Sequence, residues 1–556
     1  MEVLSFKKAN CKNCYKCIRE CPIKAIRFKE HQAQIIADEC ILCGRCVRIC
    51  PQNAKQVRDD TDVVKGYLKA GKKVIFSMAP SYVAAFQVSG LPAIAEAVKK
   101  LGVYDVRETA VGANMVKREY EKLVDAGMPV IISTCCHSII RLVQKYYPSC
   151  IPCLAPVISP MHAHAKLVKE QDPDALVVFV SPCISKKDEV DQYCKGDSVD
   201  CTITFDELYN WLEEEGISID RSKEDPDHFR SRFFPETGGI LKSMDKNPEY
   251  RYIAVDGVEN CRRALEEIEA GGMKGFFIEM SACQGSCING PAMPKHHQGL
   301  ISAQCYVEDA ADPKKDYDVS HDVAMKKNVP ADIPLRDMPG EAAIAEILAK
   351  IGKIHPEDML NCGACGYSTC REKAIAVYQK KAELEMCLPY MKERAESVSN
   401  KILDSTPNAI IAVDSSFNIQ QFNRAAHQLY GIDPGESMVG KPVGDIYDEA
   451  ELIQVIDSRQ NILSERCYME RCGLYVEKSI VYDMDDGLLL IFLKDINAEE
   501  KEAQRTAAMR RDTIEITDQV ISKQMRVVQE IASLLGETTA ETKIALTKLK
   551  ESLKDE

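Results

Sequence analysis

The sequence predicts a multidomain chain of mixed α/β and α+β class, with cysteine-rich modules at its start and past its middle. Three observations carry this. At 556 residues the chain exceeds the ~250–300 residues at which one hydrophobic core stops growing. Between about residues 61 and 330, apolar runs alternate with helical stretches, the pattern of a parallel sheet with crossover helices. The 25 cysteines fall in tight groups, which in a reducing compartment mark metal sites more often than disulfides.

Bulk properties exclude several classes. No apolar run approaches the ~18–20 residues that span a bilayer, so no membrane partner is expected. MEVLSFKKAN leads straight into a cysteine motif, leaving no room for a signal peptide, so the expected location is cytoplasmic. A formal charge of −14 argues against nucleic acid, whose phosphates demand clustered Lys and Arg.

Residues 1–60 carry Cys11, Cys14, Cys17, Cys21 and Pro22 as C-x2-C-x2-C-x3-C-P, and Cys40, Cys43, Cys46, Cys50 and Pro51 repeat it. One short loop wraps three corners of a cubane, and the fourth cysteine reaches the other cluster. On that pattern Cys11, Cys14, Cys17 and Cys50 hold one 4Fe–4S cluster; Cys21, Cys40, Cys43 and Cys46 hold the second. Paired CxxC motifs can also bind zinc, but the duplication with both prolines resembles a two-cluster ferredoxin domain.

Residues 61–335 form the α/β domain. Val74–Phe76, Val130–Ile132 and Val177–Val180 read as buried strands, with helices such as Ala93–Leu101 and Met115–Ala126 between them. Asp309–Pro339, rich in Asp, Lys and Pro, reads as a linker or surface excursion. Residues 336–395 are helical around Cys362, Cys365, Cys370 and Cys387. Their C-x2-C-x4-C-x16-C spacing is similar to a small one-cluster 4Fe–4S domain, with zinc as the alternative. In residues 396–497, strand-like Ile410–Val413 and Leu488–Phe492 frame a small α+β unit. The run from Ile402 to Tyr447, including Asn423, resembles a PAS domain, which dimerises, binds small ligands or relays a change into a following helix. Residues 498–556 are charged and helical. Ile514, Ile521, Val528 and Leu535 recur every seven residues with Ile531 on an adjacent row, predicting a coiled-coil or helix-pair seam; a single helix docked on its own domain is the alternative.

Three segments of the α/β domain carry a further resemblance. They are Ser133–Thr134–Cys135–Cys136–His137–Ser138, Ser181–Pro182–Cys183–Ile184–Ser185–Lys186, and Glu279–Met280–Ser281–Ala282–Cys283–Gln284–Gly285–Ser286–Cys287. Each follows a predicted strand, where α/β folds build sites. Together they resemble the active-site domain of iron-only (FeFe) hydrogenases. The resemblance implies an H-cluster, a 4Fe–4S cubane bridged to a two-iron unit bearing CO, cyanide and a dithiolate. It implies Cys136, Cys183, Cys283 and Cys287 as cubane ligands, with Cys287 bridging. Lys186 would hydrogen-bond a cyanide, Cys135 would pass protons, and Ala79, Pro80, Ser81, Ser181 and Ser281 would line the two-iron pocket. Three further 4Fe–4S clusters lie outside this centre. Thr237–Gly238–Gly239 also fits a family pattern, with no role assigned. Cys150, Cys153, Cys194, Cys201, Cys261 and Cys305 read as packing residues, and Cys467 and Cys472 are unassigned.

The departures from that family matter. His137 stands where proline is usual, and Ser181 and Ser281 replace methionines. The relay carboxylate expected about twenty residues before Cys135 falls on Met115, with Glu119 or Glu121 nearby, and a later relay serine falls on Ala155. His137, His162 and His164 are candidates for another proton route. The domain order resembles the sensory FeFe hydrogenases, implying a hydrogen or redox sensor with slow 2H⁺ + 2e⁻ ⇌ H₂ chemistry. Its partners would be H₂ and protons, a redox protein such as ferredoxin, a separate kinase or phosphatase, and a second copy paired through the PAS domain and terminal helix. The alternatives are a catalytic ferredoxin-linked bidirectional hydrogenase, or an iron–sulfur carrier or assembly factor lacking the two-iron unit.

Overall fold

In the computed structural model, residues 3–7, 10–29, 32–194, 196–294, 299–535 and 539–552 are described. The chain divides into two compact units, residues 1–390 and 391–556.

The first unit begins with a module whose duplication extends to the backbone. Strand Leu4–Phe6 pairs antiparallel with Lys55–Val57, and Ile26–Lys29 pairs with Gln32–Ile35. Each cysteine loop runs into a short helix, Lys16–Glu20 or Arg45–Arg48. Left-handed residues recur at matching places: Asn13 with Leu42, Tyr15 with Gly44, and Lys24 with Asn53. Such turns point successive backbone N–H groups inward, the geometry that cradles an anionic centre.

The α/β region holds two parallel sheets where the sequence suggested one. The first has the order Asp105–Glu108, Val74–Met78, Leu176–Ser181, Cys201–Thr204; the second has Arg251–Asp256, Phe276–Ser281, Val130–Ile132. Their central strands are covered on both faces, so Val74–Met78 is buried throughout. That burial is why these strands read as continuous apolar runs without alternation.

Asp309–Pro339 is no free linker. Met325 and Val329 are buried, the Ile158 amide donates to the Met325 carbonyl, and Lys327 Nζ lies 3.1 Å from Glu189 Oε1. Lys145–Asp332 and Arg336–Glu39 ion pairs continue the strap. Its polar composition hid these anchors. After it, helices Glu341–Lys350 and Cys370–Tyr378 pack through Ile344, Leu348 and Ala374 into a small helical domain.

The second unit is a five-stranded antiparallel sheet in the order Ile419–Phe422, Ala409–Val413, Leu488–Asp495, Leu474–Asp483, Ile462–Met469. Buried Asn423 organises its entry: Oδ1 accepts from Ala426 N and Ile410 N, and Nδ2 donates to Leu403 O and Asn408 O. Helix Asn497–Leu535 follows, then Thr539–Ser552. The predicted seam is turned toward its own chain: Ile514, Ile521 and Val528 are half-buried, and Asp518 pairs with Lys550 at 3.4 Å. Leu535's side chain lies outside the described residues. Met509, Ile516, Val520, Val527 and Ile531 are exposed instead. Among the described residues, no helix is long and apolar enough to cross a membrane.

Candidate functional site

The strands of the two parallel sheets end where the chemistry gathers. Val74–Met78 leads into Ala79–Pro80–Ser81, Val130–Ile132 into Cys135 and Cys136, Leu176–Ser181 into Cys183, and Phe276–Ser281 into Cys283 and Cys287. The four cubane candidates come together. Cys283 is repelled by Cys183, Cys136 and Cys287, and Cys287 by Cys183 and Cys136. Burial pushes the Cys136, Cys283 and Cys287 thiols up, and repulsion from neighbouring sulfurs adds to it. Four cysteines gathered at the ends of these strands fit a polynuclear iron centre, which takes them as thiolates.

Beside them lies a cavity of about 90 Å³ lined by Ala79, Pro80, Ser81, Cys135, Met161, Ser181, Cys183, Lys186, Phe234 and Cys287. It is well below the ~300–1,000 Å³ usual for organic ligands. Its polar groups are few and aimed. Among the described residues, the buried Ser81 hydroxyl has no partner. Lys186 Nζ donates to the Cys135 carbonyl at 3.0 Å and to Glu189 Oε2 at 2.5 Å. Glu189, also paired with Lys327, keeps Lys186 charged and is itself held far below the usual carboxylate range despite its burial. An unpartnered hydroxyl and a fixed ammonium facing Cys287 fit a compact anionic group such as the two-iron unit. Ser281 is placed differently: it is not among the lining residues, and its hydroxyl turns to the Cys283 carbonyl at 3.4 Å.

Proton-bearing groups around Cys135 depart most from the sequence expectation. Neither Glu119 nor Glu121 serves it: Glu119 pairs with Lys122, and Glu121 accepts from the Asp245 amide. Tyr120, between them, lies 3.3 Å from Cys135 Sγ; its hydroxyl accepts from Thr134 N at 2.9 Å. Met115 and Ala155 are buried and apolar. Burial pushes the Cys135 thiol up to about 12. The second group is Glu279, whose charge bears on Cys135 and whose carboxyl burial pushes up to about 7. It accepts from Gly238 N and Leu241 N, which gives the Thr237–Gly238–Gly239 segment a role. Glu236 bears on Glu279 in turn, and Lys242 joins Glu236 to Glu308 at the surface. A charged residue at the end of a buried strand was the available signal for Glu279. The histidines point elsewhere: His137 Nε2 meets Asp188 at 2.8 Å, His162 meets Asp197 at 3.1 Å, and His164 Nδ1 meets Ser77 at 2.7 Å.

Twelve other cysteines form three sets. Cys17 is repelled by Cys11, Cys50 and Cys14, whereas Cys46 is repelled by Cys43, Cys40 and Cys21. Leu42 N and Ala54 N donate to Cys40 Sγ and Cys50 Sγ, each at 3.3 Å, as amides do around cluster sulfur. Cys362, Cys365, Cys370 and Cys387 line one cavity of about 20 Å³. Among the described residues, no three His, Cys, Asp or Glu converge tightly enough for a single metal ion.

The sets also adjoin. Cys43 adds to the repulsion on Cys283, and both line one cleft with Arg45, which pairs with Glu20 and Glu259. Gly44, at φ +73°, lets the loop seat there: a Cβ would lie 2.4 Å from Pro291.

Comparison with known proteins agrees in part. Residues 72–291 match the model of the iron only hydrogenase large subunit, C-terminal domain; 4–51 match a 4Fe-4S dicluster domain, 358–389 an Fe-S cluster family, and 400–495 the PAS fold. Iron hydrogenase 1 of Clostridium pasteurianum is 24% identical over 299 residues, covering 42% of this chain and 52% of that protein. Mouse cytosolic iron-sulfur assembly component 3 is 23% identical over 259 residues, covering 34% and 54%. The chain thus spans about half the length of the curated relatives it matches. A solved FeFe-hydrogenase from Chlamydomonas reinhardtii, in a variant form, is 19% identical over 45% of this chain and 88% of that one, with a TM-score of 0.36.

Proposed function

Because the chain is FeFe hydrogenase-like in its central domain and carries Fe–S and PAS domains besides, we propose that it is a low-turnover hydrogen sensor. It meets H₂ at Cys135 and Lys186, exchanges electrons through three accessory 4Fe–4S clusters, and reports through its PAS domain and terminal helices to a separate signalling protein. Cys136, Cys183, Cys283 and Cys287 would hold the H-cluster, which would supply the redox chemistry 2H⁺ + 2e⁻ ⇌ H₂.

The observation that carries this reading is the Tyr120 hydroxyl on Cys135. The thiol stays protonated at neutral pH, and the group against it is a phenol whose own ionisation burial pushes far up. A phenol so raised is a poor partner for rapid proton exchange, which is most efficient when donor and acceptor ionise near the working pH. The group near that optimum is Glu279, with Glu236, Lys242 and Glu308 between it and the surface. Lys186, held by Glu189, orients and stabilises negative charge in the cavity without delivering protons. Such a centre favours reporting over throughput.

Infrared spectra of matured protein under H₂ and then inert gas test this. CO and cyanide bands that respond to H₂, with turnover orders of magnitude below that of a metabolic hydrogenase, are expected. Turnover at the metabolic rate sinks the sensor reading in favour of a bidirectional hydrogenase. A second reading, a non-catalytic relative, is favoured by the similarity to cytosolic iron-sulfur assembly component 3; absence of those bands after maturation decides for it.

A further inference from the structure

Two lysines at the junction of the first module and the small helical domain have no part in the chemistry above. Lys24, itself in a left-handed conformation, sends its ammonium to three backbone carbonyls: Ile18 O at 3.1 Å, Arg19 O at 3.0 Å and Gly366 O at 2.9 Å. The first two belong to the helix between Cys17 and Cys21, and the third lies beside Cys365. Gly366, at φ +90°, packs against that helix so closely that a Cβ would lie 3.0 Å from Ile18 and 3.2 Å from the Arg19 amide. Lys373 is 1% exposed and donates to the Glu383 carbonyl.

Lys373 lines the cavity of Cys362, Cys365, Cys370 and Cys387, and Lys24 is held against the carbonyl next to Cys365. Burial lowers both ammoniums, and the largest opposing influence is Cys21 for Lys24 and Cys365 for Lys373. The nearby carboxylates are Glu20 and Glu372 for Lys24, and Glu383 and Glu385 for Lys373. Glu372 and Glu385 are exposed, so water and salt screen them. Lys373 is buried away from that screening, and Lys24 is half-buried.

Resting on the reading that Cys362, Cys365, Cys370 and Cys387 hold a 4Fe–4S cluster, we propose that Lys24 and Lys373 are potential-setting residues that make this cluster a resting place for electrons from H₂. One H₂ yields two protons and two electrons. One electron takes this cluster from its 2+ to its 1+ state, and the other reduces the centre at Cys21, Cys40, Cys43 and Cys46. Each reduction adds a negative charge to a core that four thiolates already make negative. A fixed ammonium in a low-dielectric site stabilises the reduced state more than the oxidised one, so the potential rises. Lys373 acts on one cluster, whereas Lys24 acts on two.

The test is a redox titration followed by electron paramagnetic resonance on the full, cluster-loaded chain, in wild type, Lys24→Met and Lys373→Met. The signal absent from Cys370→Ala identifies the cluster in question. In Lys373→Met that cluster's oxidised-to-reduced ratio at fixed potential should rise at least tenfold, 59 mV for a one-electron couple, with the others unmoved. Lys24→Met should shift it and the Cys21 centre together, leaving the Cys11 centre in place. Lys24→Arg and Lys373→Arg keep the charge and should keep the wild-type midpoint. Loaded methionine variants with unmoved midpoints, or arginine variants that shift as far as the methionine ones, overturn the proposal. If Cys370→Ala removes neither iron nor signal, there is no cluster at this place and the underlying reading falls first.

Discussion

The two sides of the candidate centre tell different stories. On the cubane side, Cys136, Cys183, Cys283 and Cys287 stand together, with Lys186 paired to Glu189 beside them. On the proton side, Met115 and Ala155 are apolar, Tyr120 covers Cys135, and the nearest acid that ionises close to neutrality is Glu279 from another strand. The means of holding the inorganic group and the means of moving protons are therefore separable in one fold. Metal ligands must meet a fixed core at fixed distances. A proton route needs only a chain of groups of suited acidity and can be rebuilt from a different sheet.

The strongest break in this comparison comes from the cubane side. On the proposed reading, Cys287→Ala should abolish hydrogen turnover and both cyanide and CO bands, and lower the iron content, because the thiolate proposed to bridge the two parts of the centre is lost. Unchanged bands in that variant contradict the ligand set. Next in size is Cys135→Ala. It should keep its iron and infrared bands while turnover falls roughly 10²–10⁴-fold, the usual contribution of a positioned acid or base. Kinetics on samples matched for iron content separate the two, and a fall of less than tenfold shows that protons bypass Cys135.

How much of this was legible in the sequence depended on how local each feature is. The ferredoxin-like loops were readable because all their ligands lie within one short spacing, and the structure repeats even their left-handed turns. The three separated cysteine loops were picked out by their resemblance to a known family, and each follows an apolar strand. The number of sheets was not, since it depends on which strands pair: Val130–Ile132 sits with Phe276–Ser281, far along the chain. Tyr120 was missed because adjacent residues on a helix face different ways, and counting alone picked out Met115, Glu119 and Glu121. The seven-residue period at Ile514, Ile521 and Val528 marks a buried stripe, but a period cannot say whether the partner helix belongs to the same chain.

Two smaller effects sharpen the proton side. Tyr120→Phe removes the hydroxyl on Cys135 and should change turnover by about tenfold without altering iron content. Glu279→Gln should act through pH. In the wild type the Glu279 carboxyl is neutral below about 7 and ionised above it, so it accepts protons better as pH rises and donates them better as pH falls. The ratio of H₂ oxidation to H₂ evolution should carry a step near pH 7, and Glu279→Gln should flatten that step. A step that survives the substitution assigns it to another group.

The smallest effect concerns stability and sets the histidines apart from catalysis. Burial lowers His164 from 6.5 to about 3, and its Nδ1 bonds Ser77 Oγ at 2.7 Å. The folded chain refuses a proton that the unfolded chain accepts. The sign follows: stability is present in full above pH 6.5 and is lost as pH falls from 6.5 toward 3. His164→Gln should cost about 1 kcal/mol at pH 7.5 through the altered hydrogen bond to Ser77. Between pH 7.5 and pH 5 the balance should then move toward the variant by about 2 kcal/mol, because the wild type alone resists protonation there. Denaturant midpoints of the central domain at the two pH values measure this. A constant difference between variant and wild type means that His164 is protonated in the folded state; its neutral contact with Ser77 would then be wrong, and a proton path through the Ser77 strand would have to be considered.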